Sequence, residues 1–189
     1  MKYRTIVADP PWDHSDGTGF SFGAKDPRGR SGKHPPSSHS LPYGVMTVAE
    51  IEALPVLEMA ESSAWLYLWT TNRYLRRSFD VLDSWGFAES CVLTWCKPPD
   101  QGLFGGAFLS NVEYVVVGRK GNPKCTGKVG SRWFTWPRAA HSQKPEAFLD
   151  LVESVSPGPY LELFARRQRL GWDTWGNECH EHVEMEVTP

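Results

Sequence analysis

The run Tyr3-Arg4-Thr5-Ile6-Val7-Ala8 is apolar and β-branched, and it stops abruptly at Asp9-Pro10-Pro11-Trp12. Such residues pack well on a pleated surface, whereas proline lacks the N–H that a ladder requires. The pattern therefore predicts a buried strand that ends where the prolines begin. A strand buried on both faces needs helices to cover it, and the rest of the chain supplies them. Strands are expected at 64–70 (AWLYLWT), 88–96, 112–118 (VEYVVVG) and 160–165 (YLELFA). Thr47-Val48-Ala49-Glu50 is a capping-box pattern that opens a helix running to about residue 60. A second helix is expected over 74–85, closed by Gly86, and a third over 145–155 with Pro145 in its first turn. Residues 171–176 read as a turn. Alternating strands and helices argue for an α/β sandwich with a mostly parallel sheet. The 189 residues suit one domain over 1–178, followed by an acidic tail over 179–189.

In parallel sheets, ligands sit beyond the carboxyl ends of the strands. Here those ends are Asp9-Pro10-Pro11-Trp12, Thr70-Thr71-Asn72, Lys97-Pro98-Pro99 and Arg166-Arg167. Long Pro/Gly-rich loops follow at 13–44, 97–111 and 120–141. Loops of that length inside a compact domain are functional or disordered rather than neutral connections. Nine tryptophans supply flat surfaces, and most of them are assigned to the core.

Lys and Arg number 20 against 22 for Asp and Glu, a net charge of −2, which excludes a generally basic protein that coats phosphates. Contacts to nucleic acid must then come from local patches. From Arg119 to Arg138 there are basic residues and no acid, with Trp133, Phe134 and Trp136 interleaved as stacking on unpaired bases requires. The first long loop adds Lys25, Arg28, Arg30 and Lys33 against Asp26. The expected contacts are Lys25, Arg28, Arg30, Lys33, Lys97, Lys124, Lys128 and Arg132; the competing reading is a solvated loop with aromatics packed beneath it. Cys91, Cys96, Cys125 and Cys179 form no C-x-x-C pair or metal-type spacing, and His180 and His182 on the acidic tail have no further partners. No metal is expected. A reducing, cytoplasmic setting fits the thiols, and no apolar run is long enough to span a membrane.

Asp9-Pro10-Pro11-Trp12 carries the chemistry. The lone pair of an exocyclic adenine amine is delocalised into the ring, so the amine is a poor nucleophile. Two acceptors gripping its N–H bonds draw it toward a tetrahedral shape. Asp9 offers a carboxylate and Pro10 a carbonyl, while the Pro10-Pro11 pair fixes the backbone. Trp12 offers a face on which a base can stack, as an extruded base would need. The bland alternative is a strand ended by a Pro-Pro turn with a core Trp.

At these residues the sequence resembles the adenine-N6 methyltransferases with a DPPW motif, the family that includes the catalytic subunit of the messenger-RNA adenosine methyltransferase and bacterial and phage DNA-acting relatives. The matching pieces are IVADPPW (6–12), WLYLWTTN (65–72), EYVVVGRKGNP (113–123), HSQKPE (141–146), SPGPYLELFARR (156–167) and GWDTWGNE (171–178). The resemblance implies a Rossmann-like class I methyltransferase sandwich, with the catalytic motif preceding the cofactor motif and S-adenosylmethionine as donor. It implies catalytic roles for Asp9, Pro10, Pro11 and Trp12. Ala8, Asp9, Lys144, Glu162, Phe164, Arg166, Asn177 and Glu178 are implied for the cofactor, with Lys144 on its methionine carboxylate and Arg166, Asn177 and Glu178 around its ribose. Glu162 reads equally as a buried partner of Arg166. In relatives the cofactor adenine is contacted upstream of DPPW. Only eight residues precede Asp9 here, so the 97–111 loop or the region of Asn177 is expected to form that pocket. The expected reaction is N6 methylation of adenine in nucleic acid, with DNA favoured. RNA is the alternative polymer, and a catalytically silent nucleic-acid-binding scaffold of the same fold is the rival function. Relatives often pair, so a homodimer or a partner subunit is a further expectation.

Overall fold

The computed structural model describes residues 1–13, 44–97, 111–137, 144–176 and 183. The elements are β1 (Tyr3–Ala8), α1 (Val48–Glu52), α2 (Val56–Met59), β2 (Ala60–Thr70), α3 (Leu75–Ser84), β3 (Ala88–Cys96), β4 (Val112–Lys120), β5 (Trp133–Phe134), α4 (Glu146–Val155), β6 (Tyr160–Leu163) and β7 (Trp172–Trp175). The strands form one sheet in the order β5-β3-β4-β2-β1-β6-β7. Parallel pairing joins β1 to β2, β1 to β6, β6 to β7 and β3 to β5. Only β4 among these strands runs against its neighbours, β2 and β3. This is the mostly parallel, Rossmann-like sandwich expected from the alternation of elements.

β1 lies at the centre because both of its faces are apolar. Ile6 points into a core shared with Leu66, Leu161, Ile51, Val56, Leu82 and Trp85, beneath α1 to α3. Val7, one residue on, faces the opposite way and joins Tyr67, Trp69, Val115 and the Phe148, Leu149 and Val152 side of α4. Buried indoles find acceptors: Trp85 Nε1 donates to the Ile51 carbonyl and Trp95 Nε1 to that of Trp136. Of the nine tryptophans, Trp133 is the exposed one, at 64%.

Several expectations change. The capping box at Thr47 is present, with the Glu50 amide donating to the Thr47 hydroxyl. The helix it opens does not reach residue 60, because Pro55 lacks the N–H for the ladder and disfavours helical geometry at Leu54. Two short helices result, and β2 begins at Ala60 rather than 64. Pro145 caps α4 instead of occupying its first turn. β6 stops at Leu163, since Phe164 adopts φ 63° and turns the chain. Residues 171–176 contain the strand β7, in which Trp172 and Thr174 are buried and Asp173 is exposed. Gly86 does close α3, at φ 75°.

The connection from β1 to β2 runs through α1 and α2 on one face, whereas α4 precedes β6 on the other. The two neighbours of β1 thus depart in opposite senses, and the crevice this opens lies at its carboxyl end.

Candidate active site

The crevice is built on Asp9. Its amide donates to the Leu163 carbonyl at 3.4 Å, tying the end of β1 to β6. The Pro10 carbonyl accepts from the Trp12 amide at 2.9 Å, closing a tight turn, and a carbonyl so held keeps its second lone pair. The Pro11 carbonyl accepts from Met46 at 2.9 Å, and the Asp13 amide donates back to the Met46 carbonyl at 3.2 Å. These bonds, with φ locked at two prolines, fix the backbone from which the Asp9 carboxylate projects.

Trp12 does not offer an open face. It is 4% exposed, stacks on Tyr74 with ring centroids 5.1 Å apart, and donates from Nε1 to the Trp69 carbonyl at 3.1 Å. This corrects the expectation of a stacking surface for the base: an indole wedged between β2 and α3 is a pillar of the turn. The side chain of Ala8 is likewise buried in the core.

Lys144, immediately before α4, reaches Asp9 with Nζ at 2.7 Å from Oδ1 and 2.8 Å from Oδ2. It also lies 3.4 Å from Oε2 of Glu113 at the start of β4, and 5.2 Å from the Trp69 ring centroid. Glu113 in turn pairs with Lys97 at the end of β3. Lys97, expected to meet nucleic acid, is thus engaged inside the site. Burial penalises the Lys144 ammonium, but Asp9 and Glu113 outweigh it and hold its pKa above the usual lysine value. Burial also disfavours the Glu113 carboxylate, yet Lys144 and Lys97 keep its pKa below the ordinary range. Sequence reasoning missed Glu113. Its signal was a single acid inside the apolar run VEYVVVG.

Glu162 lies on β6 opposite Val7 of β1, on the α4 side of the sheet. Its Oε2 is buried without a hydrogen-bond partner. Burial first, and the negative charge of Asp9 second, push its pKa from 4.5 up to about 7. Between those values the folded protein keeps a proton that the unfolded chain releases, so stability falls as pH rises through that window. Glu162→Gln is expected to remove this loss and to add about 2–3 kcal/mol at pH 8 relative to pH 5, by the linkage of roughly 1.4 kcal/mol per unit. Urea midpoints of both proteins at the two pH values test it, and parallel pH dependence would refute it.

Beside Asp9 opens a cleft of about 240 Å³. Asp9, Pro11 and Met46 line one side, and Phe164, Arg166, Trp175 and Gly176 the other. Phe164 meets Trp175 edge-on, and its left-handed backbone marks a strained wall, as is common at binding sites. A Cβ on Gly176 would fall 2.3 Å from the Ala165 carbonyl oxygen, so only glycine lets the two strand ends close here. The structure therefore gathers Asp9, Lys144, Glu162, Phe164 and Arg166 at the carboxyl edge of the sheet. Asn177 and Glu178, which follow Gly176, lie outside the described residues, as do Lys25, Arg28, Arg30 and Lys33.

The basic tract divides. Lys120 pairs opposite Ala64, and the Lys124 carbonyl accepts from Trp65, both at the middle of β2 rather than at the edge that carries Asp9. Gly127 packs on the Ser154 carbonyl at the far end of α4, which carries Lys128 away from Asp9 as well. Arg132 is exposed beside Trp133 on the edge strand β5.

Residues 3–178 match the MT-A70 family. The Type II methyltransferase M.MunI of Mycoplasma sp is 32% identical over 187 residues, covering 96% of this chain and 79% of its own length. The N(6)-adenosine-methyltransferase MT-A70-like protein of Drosophila melanogaster is 28% identical over 94% of this chain and 27% of its own length. The N(6)-adenosine-methyltransferase catalytic subunit METTL3 of Homo sapiens is 27% identical over 94% of this chain and 28% of its own length. The chain spans about a quarter of these last two relatives and most of the first. The match runs from the first strand to the residues beyond β7, over the sheet edge that carries Asp9, and the chain belongs to the MT-A70 family of methyltransferases.

Proposed function

We propose that the chain transfers a methyl group from S-adenosylmethionine to the exocyclic N6 amine of adenine in DNA. The observation that carries this reading is that Asp9 lines a cleft and is followed directly by Pro10, whose carbonyl is tied down by the Trp12 amide. The donor set suits the cofactor. Phe164, Trp175 and Met46 give apolar walls for its adenine, and Arg166 a polar group at the rim. The Lys144 ammonium and the start of α4 attract its carboxylate. Asp9 and the unpartnered Oε2 of Glu162 complement its positive charges. Asn177 and Glu178 are assigned to its ribose. When bound, the cofactor supplies a methyl group activated by a sulfonium.

The chain's own residues orient the acceptor. Asp9 and the Pro10 carbonyl take the two N–H bonds of the target amine, freeing the lone pair, and the proton the amine loses passes to Asp9 or to solvent. Holding amine and methyl donor in line supplies most of the acceleration. Arg132 and Trp133 are assigned to the nucleic-acid strand, as a cation next to an exposed ring.

DNA is favoured because the chain runs along 79% of a type II methyltransferase. RNA is the second reading, supported by relatives named for adenosine that match 94% of this chain. Labelled S-adenosylmethionine offered with matched DNA and RNA oligonucleotides, followed by nucleoside mass analysis, separates the two. N6-methyladenine in DNA is expected. Product in RNA alone overturns the choice of polymer, and the absence of both product and cofactor binding favours a silent scaffold.

A further inference from the structure

Four side chains of alternating sign stand along the carboxyl edge of the sheet. Lys97 follows β3, Glu113 is the second residue of β4, Lys144 precedes α4 above Trp69 of β2, and Asp9 follows β1. The order of the charges follows the order of the strands β3, β4, β2, β1. Each of the four is 18–23% exposed, so solvent screens them weakly. Lys97 is further held by the face of Trp95, with Nζ 4.8 Å from the ring centroid.

We propose that Glu113, itself held by Lys97, is a positioning residue that acts through Lys144 on the Asp9 carboxylate. The inference rests on the methyl transfer proposed above. One ammonium is shared by two carboxylates. Asp9 holds it at 2.7 and 2.8 Å, and Glu113 draws on it from 3.4 Å. An Asp9 carboxylate with both oxygens on an ammonium is a weak acceptor for a target amine. A second anion that takes part of the Lys144 charge restores Asp9 as an acceptor while keeping the ammonium in place. Lys97 sets the strength of that pull, because it competes with Lys144 for Glu113.

The two outer residues therefore act with opposite sign. Glu113→Gln leaves Lys144 to Asp9 alone, whereas Lys97→Met gives Glu113 wholly to Lys144. The charged groups facing Lys144 among the described residues are Asp9 on β1 and Glu113 on β4, with Lys97 behind Glu113; Glu146 in the first turn of α4 is paired instead with Arg167 and Arg169, and Glu162 faces Asp9 from β6.

The test is the pH dependence of Lys144 acylation by trace acetic anhydride, read by peptide mass spectrometry on the whole protein without cofactor. Loss of an adjacent anion lowers the midpoint, by about one unit for Glu113→Gln, and loss of an adjacent cation raises it for Lys97→Met. With cofactor and oligonucleotide, kcat falls about tenfold for Glu113→Gln, the lower end of what losing an outer partner of an active-site group costs, and Glu113→Asp recovers most of it. Circular dichroism confirms that the variants fold, and the two substitutions give independent readings should one fail. Midpoints that stay together in all three proteins overturn the proposal. Separated midpoints in a protein that methylates no oligonucleotide leave the charge coupling standing and remove the reaction proposed above.

Discussion

Replacing Trp12 by alanine is expected to cost roughly 3–5 kcal/mol of folding stability, the range for truncating a buried aromatic. Three contacts would be lost together. The indole is 4% exposed, lies nearly parallel to Tyr74 at 17°, and supplies the N–H that satisfies the Trp69 carbonyl. Tyr74 belongs to the same brace, since its hydroxyl donates to the Asp13 carbonyl just beyond the turn. A cavity here would loosen the Pro10-Pro11 turn from β2, so activity should fall with stability. Trp12→Phe keeps a six-membered ring but removes the fused pyrrole and its N–H, at a cost of about 1–3 kcal/mol for an unsatisfied carbonyl with a smaller cavity added. Urea denaturation of both variants measures this directly. A Trp12→Ala protein as stable as its parent but inactive would return Trp12 to the role of a platform for the base.

Much of the fold was legible because it is written in local pattern. β1 is an apolar run cut by prolines, and β3 occupies the residues its pattern predicts. α3 ends at Gly86, whose positive φ is the reason for glycine there. The failures are of another kind. β7 is only Trp172–Trp175, too short for period-two alternation to stand out from a turn. The expected 47–60 helix broke at Pro55, where the proline rule outweighs an otherwise helical pattern.

The site was half legible for the same reason. Asp9, Phe164 and Arg166 sit at strand ends that the sequence displays. What it does not display is which charges meet. Lys144 and Asp9 are 135 residues apart, and only the folding of α4 onto the sheet joins them. The basic stretch from Arg119 looked like one patch because it is contiguous in sequence. The turn at Gly121, with φ 62° and no room for a Cβ against Ser62, brings the Lys124 carbonyl to Trp65 at the middle of β2, away from the edge that carries Asp9. Trp12 stands in the motif with no sign of whether its ring faces solvent or core. Single acids inside apolar strands, Glu113 and Glu162, were the strongest available hint of a buried functional group, because a carboxylate is rarely placed there without a partner.

Asp9→Asn is expected to lower kcat by ~10²–10³-fold, the scale found when one preorganised group aimed at a developing charge is lost. Asparagine keeps the shape and one acceptor oxygen but carries no charge, and its amide hydrogens would oppose those of the target amine. The fold should tolerate the change. Lys144 keeps Glu113 as a partner, and Glu162 loses the negative neighbour that helps hold its pKa near 7. With that repulsion gone, Glu162 ionises at lower pH in the folded protein, and the stability lost on raising the pH shrinks. The rate is thus expected to fall while the stability lost between pH 5 and pH 8 becomes smaller. Single-turnover methyl transfer and urea denaturation on the same preparation read both. A rate within tenfold of the parent would remove Asp9 from the chemistry, whereas an unchanged pH dependence of stability would remove its repulsion of Glu162. A catalytic group flanked by Lys144 and Glu162 should do neither, because its charge raises the cost of ionising Glu162 while serving the reaction.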